Sequence, residues 1–172
     1  FEIEEVKIVE KYLQETEVFI NVGANVGYYC CIALTQQKKT LAFEPIDMNL
    51  RYLYSNIKAN GWEDEIEIFP LAVGNKCGLI DIYGGGTGAS LIDGWAGNKL
   101  DGSSVPVARL DDILGERFNG KKVFFLIDIE GAEKFLLEGA INQLKMTPKP
   151  IWMMEISVDE HQPEGKKINP FL

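Results

Sequence analysis

The sequence predicts an α/β protein with a doubly wound, mostly parallel sheet. Short apolar runs alternate with segments of helical periodicity along the 172-residue chain, and this length is that of a single domain. Runs such as VFINV and VFFLI are apolar at nearly every position, which is typical of parallel strands that helices cover on both faces. The alternation indicates right-handed βαβ units, so ligands should bind at the carboxyl ends of the strands.

The first half of the chain predicts three helices, each followed by a strand. Apolar residues recur at helical spacing over 2–15 and predict an amphipathic first helix, with one face formed by Ile3, Val6, Val9 and Leu13. The elements that follow are a strand over 18–22, a helix over 25–37, a strand over 40–45, a helix over 47–61 and a strand over 65–73. Asp47 is placed to cap the third helix, and Asn60-Gly61 to end it.

The second half begins with a glycine-rich stretch over 84–104, flanked by two strand-like runs. Long irregular segments of this kind are usually functional or disordered, and we expect this one to cover the substrate side of the site. A short helix over 110–118, a strand over 122–130, a helix over 132–146 and a fifth strand over 150–157 complete the predicted fold. The strand over 122–130 loses its apolar character at Asp128.

Composition excludes several classes of function. The net charge of −9, without a basic stripe, argues against a nucleic-acid partner. No apolar run is long enough to span a bilayer. Three cysteines, two of them adjacent, form neither a disulfide framework nor a zinc motif, so we expect a reducing cytoplasmic environment. Because Phe1 is not an initiator methionine, we expect a trimmed chain.

Polar residues interrupt four of the predicted strands at the same edge of the sheet. The segment 21–27 follows the first strand, and the acidic residues at the other strand ends are Glu44, Asp128, Glu130 and Glu155. Each has an ordinary structural explanation by itself, since glycines form turns and carboxylates cap helices. Their repetition on one edge predicts a binding site there.

The spacing of Gly23 and Glu44 indicates a ribose. Glu44 lies 21 positions after Gly23, at the end of the next strand, where a carboxylate can accept both ribose hydroxyls. That spacing fits nicotinamide dinucleotides and S-adenosylmethionine alike. In the segment GANVG, however, Asn25 replaces the second glycine of the dinucleotide fingerprint and the bulky Tyr28 follows Gly27. The pattern therefore fits pyrophosphate poorly and favours S-adenosylmethionine, which has no phosphate.

The chain resembles the FkbM family of S-adenosylmethionine-dependent methyltransferases. The resemblance runs from about Val18 to Ser157 through the segments FINVGANVGYY, AFEP, NIKANG, LAVGN, ARLDDIL and LIDIEGAEKFLLEGA. It implies a class I methyltransferase (Rossmann-like) fold and O-methylation of a hydroxyl on a sugar, glycolipid or secondary metabolite.

The resemblance also implies roles for individual residues. Glu44 would hold the ribose, segment 70–73 would lie near the adenine, and the other cofactor-binding positions would be Asn21, Gly23, Asn25, Gly27, Pro45 and Ala72. Asp128 and Glu130 would border the site of methyl transfer.

Three departures from the family pattern stand out. The family usually has Asp at the position of Asn21, so the attraction for the cofactor's ammonium should be weaker here. It often has Lys at the position of Leu126. Methyltransferases of this fold also continue past the fifth strand with a helix and an antiparallel strand pair, whereas this chain stops at Leu172, either incomplete or without those elements. The open strand edge that results favours association, for example as a homo-oligomer.

Methyl transfer to a hydroxyl benefits from a base, and four residues are candidates: Asp128, Glu130, Glu155 and His161. We expect Asp128 to act as the catalytic or acceptor-orienting group, with Glu130 in support. Glu130 could instead cap the helix near Ala132, and His161 could be an ordinary surface residue. A metal-assisted variant with Asp128 and Glu130 as ligands is compatible with the spacing, but we expect no metal.

Two other functions remain open from the sequence. One is a nicotinamide-dependent oxidoreductase, which the altered glycine pattern disfavours. The other is a non-catalytic, methyltransferase-like binding module. The sequence does not identify the methyl acceptor, because the residues that would contact it lie in loops without a recognisable motif.

Overall fold

The computed structural model describes residues 3–83 and 103–156 as alternating helices and strands around a central sheet. Along the chain these elements are α1 (Ile3–Glu15), β1 (Val18–Val22), α2 (Tyr28–Thr35), β2 (Lys39–Phe43), α3 (Asp47–Ala59), β3 (Ile66–Phe69), β4 (Ala72–Val73), β5 (Gly78–Ile82), β6 (Ser103–Ala108), α4 (Leu110–Leu114), β7 (Val123–Ile127), α5 (Glu133–Glu138), α6 (Ile141–Leu144) and β8 (Ile151–Met154). The predicted α/β class is therefore confirmed.

The central sheet has five parallel strands in the order β3-β2-β1-β7-β8. From β1 the chain first builds outwards through β2 and β3, and then returns to the other side of β1 with β7 and β8. The strand order therefore reverses at β1, next to β7. In open α/β sheets ligands bind at this switch point, beyond the carboxyl ends of the strands.

The five residues of β1 and the five of β7 are all buried. Side chains of a strand alternate between faces, so Phe19 and Phe124 pack on one side with α1 and α2, whereas Ile20 and Phe125 pack on the other side. When helices cover both faces of a sheet, both sets of side chains in a strand are buried and the strand is apolar at nearly every position. This is why the two strands could be predicted from the sequence.

The predicted third strand, over 65–73, is wrong in one respect, because it breaks at Pro70. β3 ends at Phe69 in the central sheet, and β4 belongs to a second sheet of three strands in the order β4-β6-β5. Proline has no N–H to donate to a neighbouring strand, so a continuous ladder is interrupted there. The second sheet pairs β4 with β6 in parallel and β5 with β6 antiparallel.

The structure differs from the prediction in the start of one helix and in the capping residue of another. α2 begins at Tyr28 rather than at residue 25, because Asn25 and Gly27 have left-handed backbone angles, φ 52° and 84°. α3 begins at Asp47, but Ile46 is the capping residue and the Asp47 carboxylate instead pairs with Arg51 at 2.8 Å. The predicted cap by Asp47 is therefore wrong, whereas the predicted end of this helix is confirmed.

The predicted helix over 132–146 is two short helices, α5 and α6, separated at Gly139. A side chain at Gly139 would collide with the backbone carbonyl of Gly74, so the close approach of two chain segments requires glycine there. The carboxylate of Asp111, on α4, accepts hydrogen bonds from the backbone N–H groups of Asn142 and Gln143. It thereby caps α6 from another helix.

Some predictions concern residues outside the described ranges. His161 and nearly all of the glycine-rich stretch lie there, and only Ser103 and Ser104 of that stretch are described, in β6. β8 is the outermost of the described strands on its side of the sheet, and association through its edge stays a prediction. None of the helices within 3–83 and 103–156 combines the length and apolar character needed to cross a membrane.

Candidate active site

Two clefts meet at the switch point and share Gly23 and Asp128. The first cleft lies beyond β1, β2 and β4. The second lies between α1, α2 and the ends of β7 and β8. A ligand that spans both would pass the junction at Gly23 and Asp128.

The junction depends on a close backbone approach. Gly23 has φ 79°, and a Cβ there would collide with the carbonyl oxygen of Asp128. The N–H groups of Gly23 and Ala24 donate to the carbonyl of Phe43, at 2.9 and 3.0 Å. The Asp128 N–H donates to the carbonyl of Val22 at 3.0 Å. These bonds join the ends of β1, β2 and β7, and only glycine fits at their centre.

Glu44 is 3% exposed, lines the first cleft and forms hydrogen bonds with other residues of its lining. Its Oε2 accepts the Asn25 N–H at 2.8 Å, and its Oε1 accepts the Ile46 N–H at 2.9 Å and the Asn49 amide at 3.2 Å. All three partners are donors, so a carboxylate suits the position better than an amide. Burial raises the pKa of Glu44, while these hydrogen bonds act in the opposite direction.

Two oxygen atoms in the first cleft have capacity for a further hydrogen bond. Among the residues that the structure describes, one donor is bonded to Glu44 Oε2, and a carboxylate oxygen can accept two. Beside it, the buried Oδ1 of Asn25 has no partner among the described residues. Since a buried polar atom is normally bonded, this pair is suited to a ligand that presents two neighbouring hydroxyl donors.

Another part of the lining of the first cleft is apolar. It is formed by the residues that follow β2 and by the ends of β4 and β5, namely Pro45, Ile46, Leu71, Ala72, Val73 and Ile82. A flat aromatic ring can be buried on such a surface. Pro45 and Ala72, which the family resemblance gives as cofactor-binding positions, thus line this cleft, and their binding of the cofactor stays a prediction.

β7 ends at Ile127, one residue before Asp128, where the predicted strand over 122–130 loses its apolar character. Glu130 then takes a left-handed backbone angle, φ 52°, and Glu133 accepts the N–H of Gly131 at 2.9 Å. Asp128 and Glu130 both line the first cleft. In the described part of the chain, no cluster of three or more histidine, cysteine, aspartate or glutamate side chains is arranged to hold a metal ion.

Asp128 has a perturbed acidity. Its side chain reaches solvent through the clefts but is crowded by their walls, and this desolvation raises the pKa to about 7. The negative charges nearby act in the same direction, with contributions from Glu155, Glu130, Glu5 and Glu133. A carboxyl group with such a pKa can exchange a proton near neutral pH.

The second cleft contains residues that the sequence did not single out. Glu5 of α1 and Tyr29 of α2 line it together with Glu155, and the Tyr29 hydroxyl donates to Glu5 Oε2 at 2.9 Å. Burial and this hydrogen bond raise the pKa of Tyr29. Glu5 lies 16 positions before Asn21 (21 − 5), on a helix that the sequence predicted only as amphipathic, so no spacing signal indicated its role.

The predicted site residues are mostly brought together. Those that line one or both clefts are Asn21, Gly23, Asn25, Glu44, Pro45, Ala72, Asp128, Glu130 and Glu155. Gly27 lines neither, and instead packs the start of α2 against Leu53. Asn49 and Ile82 line the first cleft without having been predicted.

Asn21 and Leu126, which both differ from the family pattern, are neighbours in the structure, because they are paired in register across β1 and β7. The Asn21 amide donates to the Leu126 carbonyl at 3.4 Å, and its Oδ1 lies 3.6 Å from the Cys30 thiol. Both residues are buried and both line the second cleft. Where an Asp–Lys pair would carry two charges, this protein has a neutral pair.

The chain matches the methyltransferase FkbM domain over residues 21–172. It belongs to the FkbM methyltransferase family. The methyltransferase FkbM from Methylobacillus flagellatus KT has a similar structure, with a TM-score of 0.58 and 20% identity; the match covers 85% of this chain but 34% of that chain. This chain therefore spans about a third of that relative's length, and the likeness shows a shared Rossmann-like methyltransferase fold.

A second solved structure, a SAM-dependent methyltransferase from Aquifex aeolicus, is 17% identical, with 95% of this chain and 79% of that chain covered. Its TM-score of 0.42 is too low to support a shared fold. The search of curated proteins finds no match. The match to the FkbM domain therefore establishes the family membership.

We predict that Asn21 and Leu126 are energetically coupled. Asn21→Asp alone places an unpaired charge in a buried position and should lower the free energy of unfolding by about 1–3 kcal/mol, and Leu126→Lys alone should do the same. In the double variant the new charges can pair, so the loss should be at least ~1 kcal/mol smaller than the sum. Urea denaturation of the four proteins measures this coupling.

The matched control for this cycle is Leu126→Met, which keeps an apolar side chain and should show no coupling with Asn21→Asp. Strictly additive losses in the Asp–Lys pair would contradict the coupling.

We also predict a pH-dependent contribution of Asp128 to stability. Its folded pKa, about 7, lies above the ordinary value of 3.8. Between these values the unfolded chain is ionised while the folded protein retains the proton, so stability falls as the pH rises towards 7 and levels off above it. Asp128→Asn removes this contribution. Its Tm relative to wild type should therefore rise between about pH 5 and about pH 8.

For a fully buried group, each unit of pKa shift would change the free energy of unfolding by ~1.4 kcal/mol. Solvent screens the exposed carboxyl group of Asp128, so above pH 7 we expect Asp128→Asn to raise the free energy of unfolding by about 1 kcal/mol in total. Asp64→Asn, at an exposed residue in the turn before β3 and outside both clefts, is the control for the loss of a surface carboxyl group. A constant difference for Asp128→Asn would contradict the raised pKa.

Proposed function

We propose that this FkbM-family protein transfers the methyl group of S-adenosylmethionine to a hydroxyl on a sugar, glycolipid or secondary metabolite. The observation that carries the proposal is the first cleft, which combines two neighbouring acceptor atoms, an apolar wall and Asp128 at its end. Adenosine has matching parts, namely a ribose with two hydroxyls and a flat base.

The acceptor atoms of the first cleft fit a ribose. One hydroxyl can donate to Glu44 Oε2 and the other to Asn25 Oδ1, which otherwise lacks a partner among the described residues. Binding of both hydroxyls by Glu44 alone stays a prediction, but three protein donors already occupy that carboxylate. Sharing the two hydroxyls between Glu44 and Asn25 keeps every one of these bonds.

The charges of the first cleft support a cationic cofactor. Its lining contains the carboxyl groups of Glu44, Asp128 and Glu130, and no lysine or arginine among the described residues that form it. A dinucleotide would bring two phosphate charges into this environment without a partner. A nicotinamide-dependent reaction is therefore disfavoured by charge as well as by the glycine pattern.

S-adenosylmethionine supplies a methyl group already activated by a sulfonium, so the protein has to align the acceptor and exclude water. The acceptor oxygen forms a bond to the methyl carbon while the sulfur–carbon bond breaks, and the hydroxyl proton must be removed. Asp128, at the junction of the clefts and with a pKa of about 7, is suited to accept that proton. Glu130, at the same end of the first cleft, would support it.

Ligand binding tests the proposed cofactor. We expect S-adenosylhomocysteine to raise the Tm of the wild-type protein and NAD to leave it unchanged, because only NAD brings phosphate charges next to the carboxyl groups of the first cleft. Stabilisation by NAD alone would replace the proposal by an oxidoreductase. Binding of neither ligand would favour a non-catalytic binding module.

Substitution of Asp128 tests its role in methyl transfer. Asp128→Asn keeps the shape of the side chain and removes the base, so turnover with the true acceptor should fall by ~10²–10⁴-fold. The affinity for S-adenosylhomocysteine, measured by calorimetry, should change little. Asp64→Asn again serves as the control, and near-normal turnover of Asp128→Asn would transfer the role to Glu155 or His161.

A further inference from the structure

Glu5 differs from the other carboxylates of the second cleft because it comes from α1, outside the sheet. It is half-buried, and its Oε2 accepts the Tyr29 hydroxyl at 2.9 Å. A glutamate on a helix surface normally samples several rotamers, and ordering it has an entropic cost. The bond to Tyr29 therefore holds an anionic oxygen at the cleft wall beside the first turn of α2.

The floor of the second cleft offers no charge at β1. Asn21 is neutral, and its two polar atoms are engaged by the Leu126 carbonyl and the Cys30 thiol. A cation that enters this cleft must therefore find its partner elsewhere on the lining. Glu155 also lines this cleft, and it comes from the end of β8, two strands from β1. Glu5, by contrast, is tied to Tyr29 on the helix that continues from β1.

We propose that Glu5 binds the ammonium group of the cofactor's amino-acid tail and that Tyr29 positions the Glu5 carboxylate. This inference rests on the proposed function. With adenosine in the first cleft and the sulfonium at the junction of Gly23 and Asp128, the tail continues into the second cleft. The charge at Glu5 then substitutes for the charge that Asn21 lacks.

The carboxylate of the same tail needs no positive side chain from the lining. It can stay in water at the mouth of the cleft, because the ammonium and the carboxylate are attached to the same carbon and can point in different directions. The ammonium is the group that benefits from a partner, since a desolvated cation is stabilised by a charge-assisted hydrogen bond.

Two ligands separate this role from a merely structural one. S-adenosylhomocysteine carries the amino-acid tail, whereas 5′-methylthioadenosine has the same nucleoside and thioether without it. We expect Glu5→Gln to weaken the binding of S-adenosylhomocysteine by about 10-fold or more in calorimetry. The affinity for 5′-methylthioadenosine should stay within about 2-fold of wild type.

Tyr29→Phe keeps the ring and removes the hydroxyl that holds Glu5. It should weaken S-adenosylhomocysteine by a smaller factor, about 3-fold, and again spare 5′-methylthioadenosine. The control is Glu4→Gln, which removes the same charge from the same turn of α1. Glu4 has a 79% exposed side chain paired with Lys7, and it lines neither cleft. Its removal should leave both affinities unchanged.

Two results would overturn the inference while leaving the cofactor proposal intact. One is an unchanged affinity of Glu5→Gln for S-adenosylhomocysteine, and the other is an equal loss for both ligands, which would mean that Glu5 only supports the fold. If the wild-type protein binds neither ligand, the proposed function itself fails, and this role of Glu5 fails with it.

Discussion

The whole site depends on the contact between the backbone of Gly23 and the carbonyl of Asp128. That contact brings the ends of β1 and β7 so close that no side chain fits between them. It creates two clefts that share one boundary, with Glu44 on one side and Glu5 on the other. A larger residue at Gly23 would push the two strand ends apart, and both clefts would change together.

The carboxyl groups around this boundary give the site its electrostatic character. Desolvation and repulsion by the neighbouring carboxylates raise the pKa of Asp128. Ionising Asp128 therefore destabilises the folded protein. A bound cation would offset that destabilisation, whereas a bound phosphate would add to it. The same charges therefore explain both the affinity we expect for a sulfonium and the discrimination against a dinucleotide.

The neutral pair at Asn21 and Leu126 shows how a change on one strand restricts the residue beside it. A lone aspartate or a lone lysine would be buried without a partner, so the two positions are expected to change together. In the role that we propose for Glu5, α1 provides the anion for the cofactor's ammonium that Asn21 lacks. The first helix would thus contribute to the site as well as covering the sheet.

Local sequence signals were sufficient for the α/β class, the family resemblance, the ends of β1 and β7, and the group of residues at the carboxyl edge. These features depend on hydrophobic patterning, turn residues and spacing along one strand. Other features depend on contacts between distant segments: the break at Gly139 against Gly74, the cap of α6 by Asp111, the pairing of Asn21 with Leu126, and the approach of Glu5 to Tyr29. The sequence determined which residues are available at the sheet edge. The tertiary structure alone decided which of them share a cleft, because that depends on backbone approaches between strands and helices far apart in the chain.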